Sequence, residues 1–286
     1  MRQTSRQHAR PNARTKSHRR RLGRVVIALA AIATLSVMPA SAITFGHPDG
    51  NGHPAVATLV DSDGLPICTG TLVAPRIVVT AAHCLGGLVD DQIGVSFDSI
   101  YRPGVSDVIH GTGIAAVDPA RFRGNAGAAG QGGNSDLGDD IAVVHLDRDA
   151  PTGIIVAALP TAGLISSLNL NGQTFTTVGY GIVLTDKTKG PNSFEQNLDP
   201  SVRNVAIEEF RSLQSGAITV SQNPATGDGG TCFGDSGGPH FFGDSNLMVA
   251  ITTLGDSACR STGRTYRLDI PFARQFLASQ GVPVPS

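Results

Sequence analysis

Tryptophan is absent from the 286 residues, and the chain has only four cysteines, three methionines and three tyrosines. No two cysteines have the C-x-x-C spacing that is typical of structural zinc sites. No acidic run follows the pattern of a calcium-binding loop. His47 and His53 flank a short polar stretch, for which a surface turn is the favoured interpretation and a metal site the alternative. We therefore predict no metal and no cofactor.

Acidic residues are missing from the first 42 positions, which hold nine of the 22 basic residues. The basic segment 1–24 precedes an apolar run over 25–37, which is too short to span a bilayer comfortably. Ala40-Ser41-Ala42 then has the small residues of a signal-peptidase site. We predict a signal peptide over 1–42, with a membrane anchor as the alternative. Arg19-Arg20-Arg21-Leu22 partly resembles a bacterial twin-arginine signal, so two export routes stay open.

Basic residues are scarce once the leader is removed. The remaining 244 residues carry 13 basic and 23 acidic side chains, a net charge of about −10 with histidine neutral. Because phosphate binding needs clustered Lys and Arg, this balance argues against a nucleic-acid partner. We expect a secreted, extracellular protein, by default a monomer and not membrane-bound after leader removal. Its four cysteines are expected to form two disulfides.

Short apolar, β-branched runs separated by Gly, Pro, Asn and Asp follow from Ile43 onward. This pattern predicts an all-β fold of short antiparallel strands, either a sandwich or barrels. Near the C-terminus Phe272, Phe276 and Leu277 recur at helical spacing, which predicts one short helix. Proline and glycine over 150–160 suggest a connection between two halves, 43–155 and 156–286. The predicted strands are 55–60, 70–73, 77–80, 93–97, 141–146, 174–178, 202–207, 217–220, 248–253 and 265–268.

Three separate segments carry residue types suited to nucleophilic catalysis. In Gly234-Asp235-Ser236-Gly237-Gly238-Pro239, small neighbours expose a serine, and two backbone N–H groups could point at one developing negative charge. His83 follows the predicted strand 77–80, and an imidazole suits proton transfer near neutral pH. Asp140 begins an apolar run, where burial is costly unless a group such as a histidine N–H satisfies the carboxylate. Asp139 fits a solvated turn better.

These motifs resemble those of the chymotrypsin/trypsin family of serine proteases. The resemblance rests on Thr80-Ala81-Ala82-His83-Cys84, Asp140-Ile141-Ala142-Val143 and the Gly234–Pro239 run in the order His, Asp, Ser, and it spans about 43–276. It implies two antiparallel β-barrels with a short C-terminal helix, together one peptidase domain. An α/β-hydrolase would instead need the order serine, acid, histidine, and we reject that alternative.

The resemblance also implies roles for individual residues. His83 would act as general base, Asp140 would orient it, and Ser236 would attack the peptide carbonyl. The N–H groups of Gly234 and Ser236 would form the oxyanion hole. The disulfides would join Cys68 to Cys84, beside the histidine, and Cys232 to Cys259, framing the specificity pocket.

The predicted leader boundary suggests how the site is completed. Cleavage after Ala42 would expose Ile43 as a new N-terminus. The resemblance implies that its ammonium group pairs with the carboxylate of Asp235 and so shapes the oxyanion hole and pocket. We expect no separate activation peptide.

By the same resemblance, the specificity pocket is formed by Gly230, Thr231, Thr253 and Gly255, with Gly263 or Arg264 at the far wall. Without an acid at the base, trypsin-like cleavage is disfavoured, because a buried basic side chain would lack a partner. The small Gly255 favours a medium or large apolar residue on the acyl side of the cut. An inward Arg264 would instead favour an acidic residue.

The sequence thus predicts a secreted serine endopeptidase that works through an acyl-enzyme. Its partners would be polypeptide substrates and protein inhibitors. The alternative is a secreted, non-catalytic binding or regulatory homologue of the same fold, and the same chemistry would also allow ester hydrolysis.

Overall fold

The computed structural model describes residues 43–86, 88, 92–119, 138–182 and 201–286. The predicted signal peptide over 1–42 lies outside these residues. Among the described residues, no helix is long and apolar enough to cross a membrane. Fifteen strands and two α-helices are described: β1 (His47–Pro48), β2 (Val56–Val60), β3 (Pro66–Ala74), β4 (Ile77–Thr80), β5 (Gln92–Ser96), β6 (Ile100–Tyr101), β7 (Ile109–Ala115), β8 (Ala142–Leu146), α1 (Leu164–Ser167), β9 (Thr174–Gly179), β10 (Ser201–Val202), β11 (Asn204–Leu213), β12 (Ala217–Ser221), β13 (Pro239–Phe242), β14 (Met248–Gly255), β15 (Thr262–Arg267) and α2 (Pro271–Ser279).

The first half forms a closed antiparallel barrel in the order β2-β3-β4-β8-β7-β5. Its interior is filled by small and branched apolar side chains, among them Leu59, Leu72, Val78 and Val144. Burying each of the larger ones contributes about 1.5–3 kcal/mol. The barrel is narrow enough that β3 needs a glycine, since a Cβ at Gly70 would lie 2.6 Å from a methyl carbon of Val78.

The second half forms another six-stranded barrel, in the order β11-β12-β15-β14-β13-β9, closed by pairing between β9 and β11. The two-residue strand β1 adds to β11. The predicted all-β class with two antiparallel barrels and a short C-terminal helix is confirmed. The helix begins at Pro271 and buries Ala273 and Leu277 against the protein.

The sequence analysis missed the two-residue strands β1 and β6 and the longer strands β7 and β13. In β7 two glycines interrupt the apolar pattern, and both are required by close packing. A Cβ at Gly111 would lie 2.6 Å from the carbonyl oxygen of His145, and one at Gly113 would lie 2.7 Å from Leu85. Strand β13 begins with Pro239, a residue that usually argues against a central strand but is tolerated at a strand's first position.

Arg203 links the two barrels. It is fully buried between β10 and β11. From there its Nη1 donates to the carbonyl oxygens of Val56, at 3.0 Å, and Phe97, at 3.2 Å, in the first half. Its Nε donates to Asp49 at 2.8 Å. Burial raises the pKa of the Asp49 carboxyl, but hydrogen bonds from His53 and the charge of Arg203 outweigh that effect and hold it below its ordinary value.

We predict that Arg203→Met lowers the free energy of unfolding by about 3–5 kcal/mol, because it leaves the buried Asp49 carboxylate without its cation. The matched control is Arg148→Met, which breaks an ion pair to Asp107 of similar length, 2.6 Å, between two side chains that are more than half exposed. There the loss should be under about 1 kcal/mol. Denaturant unfolding of both variants measures the difference. Equal losses of unfolding free energy would contradict the interpretation that the buried Arg203–Asp49 pair stabilises the fold.

Candidate active site

Strand register brings His83 and Asp140 together. β4 and β8 are paired, with Thr80 opposite Ala142. The short 3-10 helix Ala82–Leu85 follows β4, and Asp140 stands just before β8. His83 Nδ1 therefore lies 2.7 Å from Asp140 Oδ2, and the His83 backbone N–H donates to Asp140 Oδ1 at 2.9 Å. The carboxylate is buried, so it stabilises the ring tautomer that carries its proton on Nδ1 and leaves Nε2 as an acceptor.

Ser236 lies on a turn that depends on glycine. Gly234 and Gly237 have φ angles of 96° and 78°, which L side chains rarely adopt. A Cβ at Gly237 would lie 2.1 Å from Thr80 Oγ1 and 2.7 Å from the backbone nitrogen of Ala81. The absence of that Cβ lets the serine turn of the second barrel pack against the end of β4, three residues before His83. The disulfide Cys68–Cys84 lies at the same contact.

Two backbone donors of the serine turn are unengaged. Within the described part of the chain, neither the Gly234 N–H nor the Ser236 N–H donates to a protein acceptor. Thr69, which the sequence analysis did not identify, fixes the turn from the first barrel. Its Oγ1 donates to the carbonyl of Gly234 at 2.9 Å, and its backbone N–H donates to the carbonyl of Ser236, also at 2.9 Å.

Asp235 is fully buried beside this turn. Its Oδ1 accepts from the backbone N–H of Gly181 at 2.7 Å and its Oδ2 from that of Cys232 at 2.8 Å. Burial raises the pKa of Asp235 to about 7, despite the opposing effect of these two hydrogen bonds. Among the described residues, no basic side chain forms a salt bridge with it.

Glycines enclose the Asp235 carboxyl group. A Cβ at Gly179 would lie 2.1 Å from Oδ1, and one at Gly181 would lie 2.6 Å from Cγ. The sequence analysis assigned no role to Gly179 or Gly181, although the Gly179-Tyr180-Gly181 spacing is visible in the sequence.

The segment that begins at Ile43 runs along the base of the second barrel. Ile43 is fully buried and has a φ of 70°. The next residue, Thr44, exchanges backbone hydrogen bonds with Gly230, with N···O distances of 2.8 and 2.9 Å. Gly230 precedes Asp235 by five residues, so the residue after Ile43 pairs with the segment that leads into the serine turn.

A pocket opens beside Ser236. The disulfide Cys232–Cys259 joins its two walls. Of the predicted pocket residues, the structure brings Thr231, Thr253 and Gly255 to the lining, and Leu254 stands beside them. The lining consists of Thr231, Cys232, Phe233, Ser236, Thr252, Thr253, Leu254, Gly255, Asp256 and Cys259.

The structure places two of the predicted pocket residues away from the lining. Behind Gly230 stands Gln222, whose Cγ would be only 2.3 Å from a Cβ at that glycine. Arg264 turns toward Gln214, to which its Nη2 donates at 2.7 Å. The guanidinium group of Arg264 is therefore not part of the described pocket lining.

The histidines considered for metal binding have other contacts. His53 Nδ1 lies 2.5 Å from Asp49 Oδ1, and its ring stacks on Phe241 with centroids 5.4 Å apart. His47 is in the exposed strand β1. His83 has two cysteine sulfurs nearby, those of Cys68 and Cys84. Both are in a disulfide, so neither offers a thiolate to a metal.

Two antiparallel barrels with a buried aspartate, a histidine and a half-buried serine at their junction define a serine hydrolase of the chymotrypsin-like class. Residues 43–277 match the family model described as Trypsin. The chain therefore belongs to the Trypsin family of serine endopeptidases.

Three relatives indicate the range of the family around this chain. It is 27% identical to a chymotrypsin of Phaedon cochleariae over 68% of its length and 65% of that protein. Identity is 29% to brachyurin of Leptuca pugilator, covering 73% of this chain and 84% of the relative. A trypsin of Saccharopolyspora erythraea is 27% identical, and the match covers 75% of this chain and 88% of that trypsin. Since their names differ, similarity does not decide the side-chain preference here.

Solved structures show the same fold. The HL collagenase structure superposes with a TM-score of 0.62 at 18% identity, covering 84% of this chain and all of that one. The HBP structure gives a TM-score of 0.60 at 16% identity, and the match covers 85% of this chain and 99% of that one.

We predict that Gly237→Ala lowers kcat/KM by about a hundredfold or more, because the methyl group would push the serine turn away from Thr80 and misplace the nucleophile. The matched control is Gly172→Ala, also at a positive φ, 73°, but with no atom within 4 Å of the added carbon. That variant should lose about 1–2 kcal/mol of stability and keep its activity. Equal activity losses in both variants, measured on a peptide substrate, would contradict the steric explanation.

Proposed function

We propose that the protein is a secreted endopeptidase that cleaves peptide bonds through a Ser236–His83–Asp140 triad and an acyl-enzyme. The observation that carries the proposal is the His83–Asp140 pair, 2.7 Å apart, next to the end of β4, where the glycine-dependent Ser236 turn packs against Thr80 and Ala81. Membership of the Trypsin family supports it independently of that geometry.

In the first half of the reaction Ser236 Oγ attacks the peptide carbonyl, and its proton passes to His83 Nε2. The buried Asp140 carboxylate stabilises the imidazolium that forms. The developing oxyanion accepts hydrogen bonds from the unengaged N–H groups of Gly234 and Ser236, an interaction strongest in the transition state. The imidazolium then gives its proton to the leaving amine, and the acyl group stays on Ser236. In the second half water attacks the acyl group as it loses a proton to His83, and His83 returns that proton to Ser236 Oγ as the acid leaves.

The N-terminus completes the site in this proposal. A cut after Ala42 frees an ammonium group on Ile43, whose side chain is already buried, next to the Thr44–Gly230 pairing. The Asp235 carboxylate is buried, with two backbone N–H partners. A neighbouring ammonium would favour its ionised form and hold the serine turn in place.

For the substrate we propose a medium or large residue with an apolar body before the cut. Thr231, Thr253, Leu254 and Gly255 line the pocket. No acid stands at position 230 to pair with a lysine or arginine. Secretion follows in this proposal from the leader, and the two disulfides fit an oxidising compartment.

Replacing Ser236 with alanine tests the catalytic proposal. We predict that Ser236→Ala lowers kcat by several orders of magnitude, because the triad acts as a unit. Cleavage of a diverse peptide library by the wild-type and variant proteins is the measurement. Circular dichroism and a matched Ser245→Ala variant, at an exposed turn, control for folding. Library cuts that persist in Ser236→Ala would contradict the triad. No cuts by correctly folded wild-type protein would favour the non-catalytic homologue.

We predict different pH responses for two versions of the chain, one beginning at Ile43 and one at Ser41, both carrying Ser236→Ala. In the longer chain the pKa of Asp235 is about 7 when folded, against an ordinary 3.8. The folded state then binds more protons than the unfolded state, so stability falls as pH rises from about 4 to 7. In the chain beginning at Ile43 the ammonium lowers that pKa, and this fall disappears.

Denaturant unfolding across pH 4–8 measures both chains, and Asp235→Asn in the longer chain is the control that should remove its pH dependence over this window. Identical pH profiles for the two chains would contradict the Ile43–Asp235 pair. With Ser236 present, the longer chain should also lose about a hundredfold in kcat/KM, as expected for a misplaced oxyanion hole.

A further inference from the structure

Five polar side chains form a buried cluster at the specificity pocket. Thr231 and Thr252 are part of the pocket lining. Behind them lie three larger polar side chains that the proposed mechanism does not use. The members of this pocket-wall cluster, each at most 5% exposed, are Glu208, Gln222, Thr231, His240 and Thr252.

Polar contacts run through the cluster from one pocket wall to the other. Gln222 Nε2 donates to Thr231 Oγ1 at 2.8 Å and to Glu208 Oε1 at 3.2 Å. Glu208 Oε2 lies 2.9 Å from His240 Nδ1. On the far side His240 Nε2 lies 3.1 Å from Thr252 Oγ1. The only carboxylate in the cluster is therefore already engaged by neighbours and is not part of the pocket surface.

The side chain of Gln222 occupies space that side chains at three glycines would otherwise fill. A Cβ at Gly230 would lie 2.3 Å from Gln222 Cγ, one at Gly263 2.9 Å from Nε2, and one at Gly255 3.5 Å from Oε1. Gly255 lines the pocket. Gln222 Oε1 is thus directly behind the pocket surface, and it has no hydrogen-bond donor among the described residues. A buried acceptor without a donor is costly unless something supplies one.

The hydrogen-bond pattern makes Thr252 a second acceptor. The Glu208 carboxylate next to Nδ1 favours the tautomer of His240 that carries its proton on that nitrogen. In the neutral ring Nε2 then accepts from the hydroxyl of Thr252, whose lone pairs are left for the pocket. Gln222 Oε1, which has no donor, and the Thr252 hydroxyl, which keeps free lone pairs, therefore favour a donor over an anion.

We propose that Gln222 and Thr252 make the pocket select an uncharged side chain with an O–H or N–H donor at its tip, such as tyrosine over phenylalanine. This inference rests on the endopeptidase function proposed above and refines its apolar preference. A lysine or arginine is disfavoured, because Glu208 is held behind the wall by Gln222 and His240. Glu208 and His240 act as positioning residues for Gln222, directly behind the pocket surface, and for Thr252, which lines the pocket.

Paired peptide substrates test the inference, each pair differing only in the residue before the cut: tyrosine against phenylalanine, and glutamine against methionine. The wild-type protein should show kcat/KM at least about tenfold higher for the donor-bearing member of each pair, since a site with a buried acceptor rejects the analogue that leaves it unpaired. Titration of Ser236 with a serine-directed phosphonate gives the concentration of active sites for every variant.

Thr252→Val removes the hydroxyl at nearly constant volume and should bring both ratios close to one, mainly through lower kcat/KM for tyrosine and glutamine. Thr252→Ser keeps the hydroxyl and should retain the preference. Gln222→Met tests the second acceptor in the same way. If it fails to fold, because Glu208 loses a donor, the Val and Ser variants at position 252 still decide the question.

The outcomes separate this inference from the function on which it rests. Ratios near one in a wild-type enzyme that cleaves all four peptides would overturn the inference and leave the endopeptidase function intact. A preference that persists in both Thr252→Val and Gln222→Met would also overturn it. No cleavage of any peptide by titratable, folded protein would overturn the proposed function itself.

Discussion

The buried carboxylate of Asp235 constrains the architecture of the active site. It fits only because Gly179 and Gly181 have no side chains, and it is satisfied by backbone N–H groups on both sides. These hydrogen bonds fix the residues immediately before Ser236 and so the direction of the two unengaged N–H groups. A nearby cation would favour the ionised form of this buried acid, and the proposed Ile43 ammonium group would supply that charge.

The two barrels contribute different parts of the site, and neither part is useful alone. Pairing of β4 with β8 sets the His83–Asp140 geometry within the first barrel, whereas the nucleophile and the pocket belong to the second. Their relative position therefore has to be held to a fraction of an ångström for catalysis. Arg203, Thr69 and the close packing at Gly237 provide this alignment with polar and steric contacts between the barrels.

The substrate preference proposed for this protein depends on residues that do not touch solvent. The pocket surface shows threonines, a leucine and a glycine, which by themselves would suggest simple apolar selection. In this proposal the surface selects differently, because its threonine hydroxyls donate or accept hydrogen bonds according to their buried partners Gln222, Glu208 and His240. Glu208 lies in β11, Gln222 directly follows β12 and His240 lies in β13; these positions carry no motif, so only their convergence in three dimensions reveals them.

The sequence by itself determined the fold class and the residues of the proposed triad, because short β-branched runs and catalytic motifs are local patterns. It did not determine β7 and β13, whose glycines and proline contradict strand preference and are required by neighbours distant in the chain. Tertiary structure alone decided that Arg264 turns away from the pocket and that Gln222 fills the space behind Gly230. Such outcomes depend on which side chain occupies a shared space, and that space exists only in the folded structure with its barrels closed.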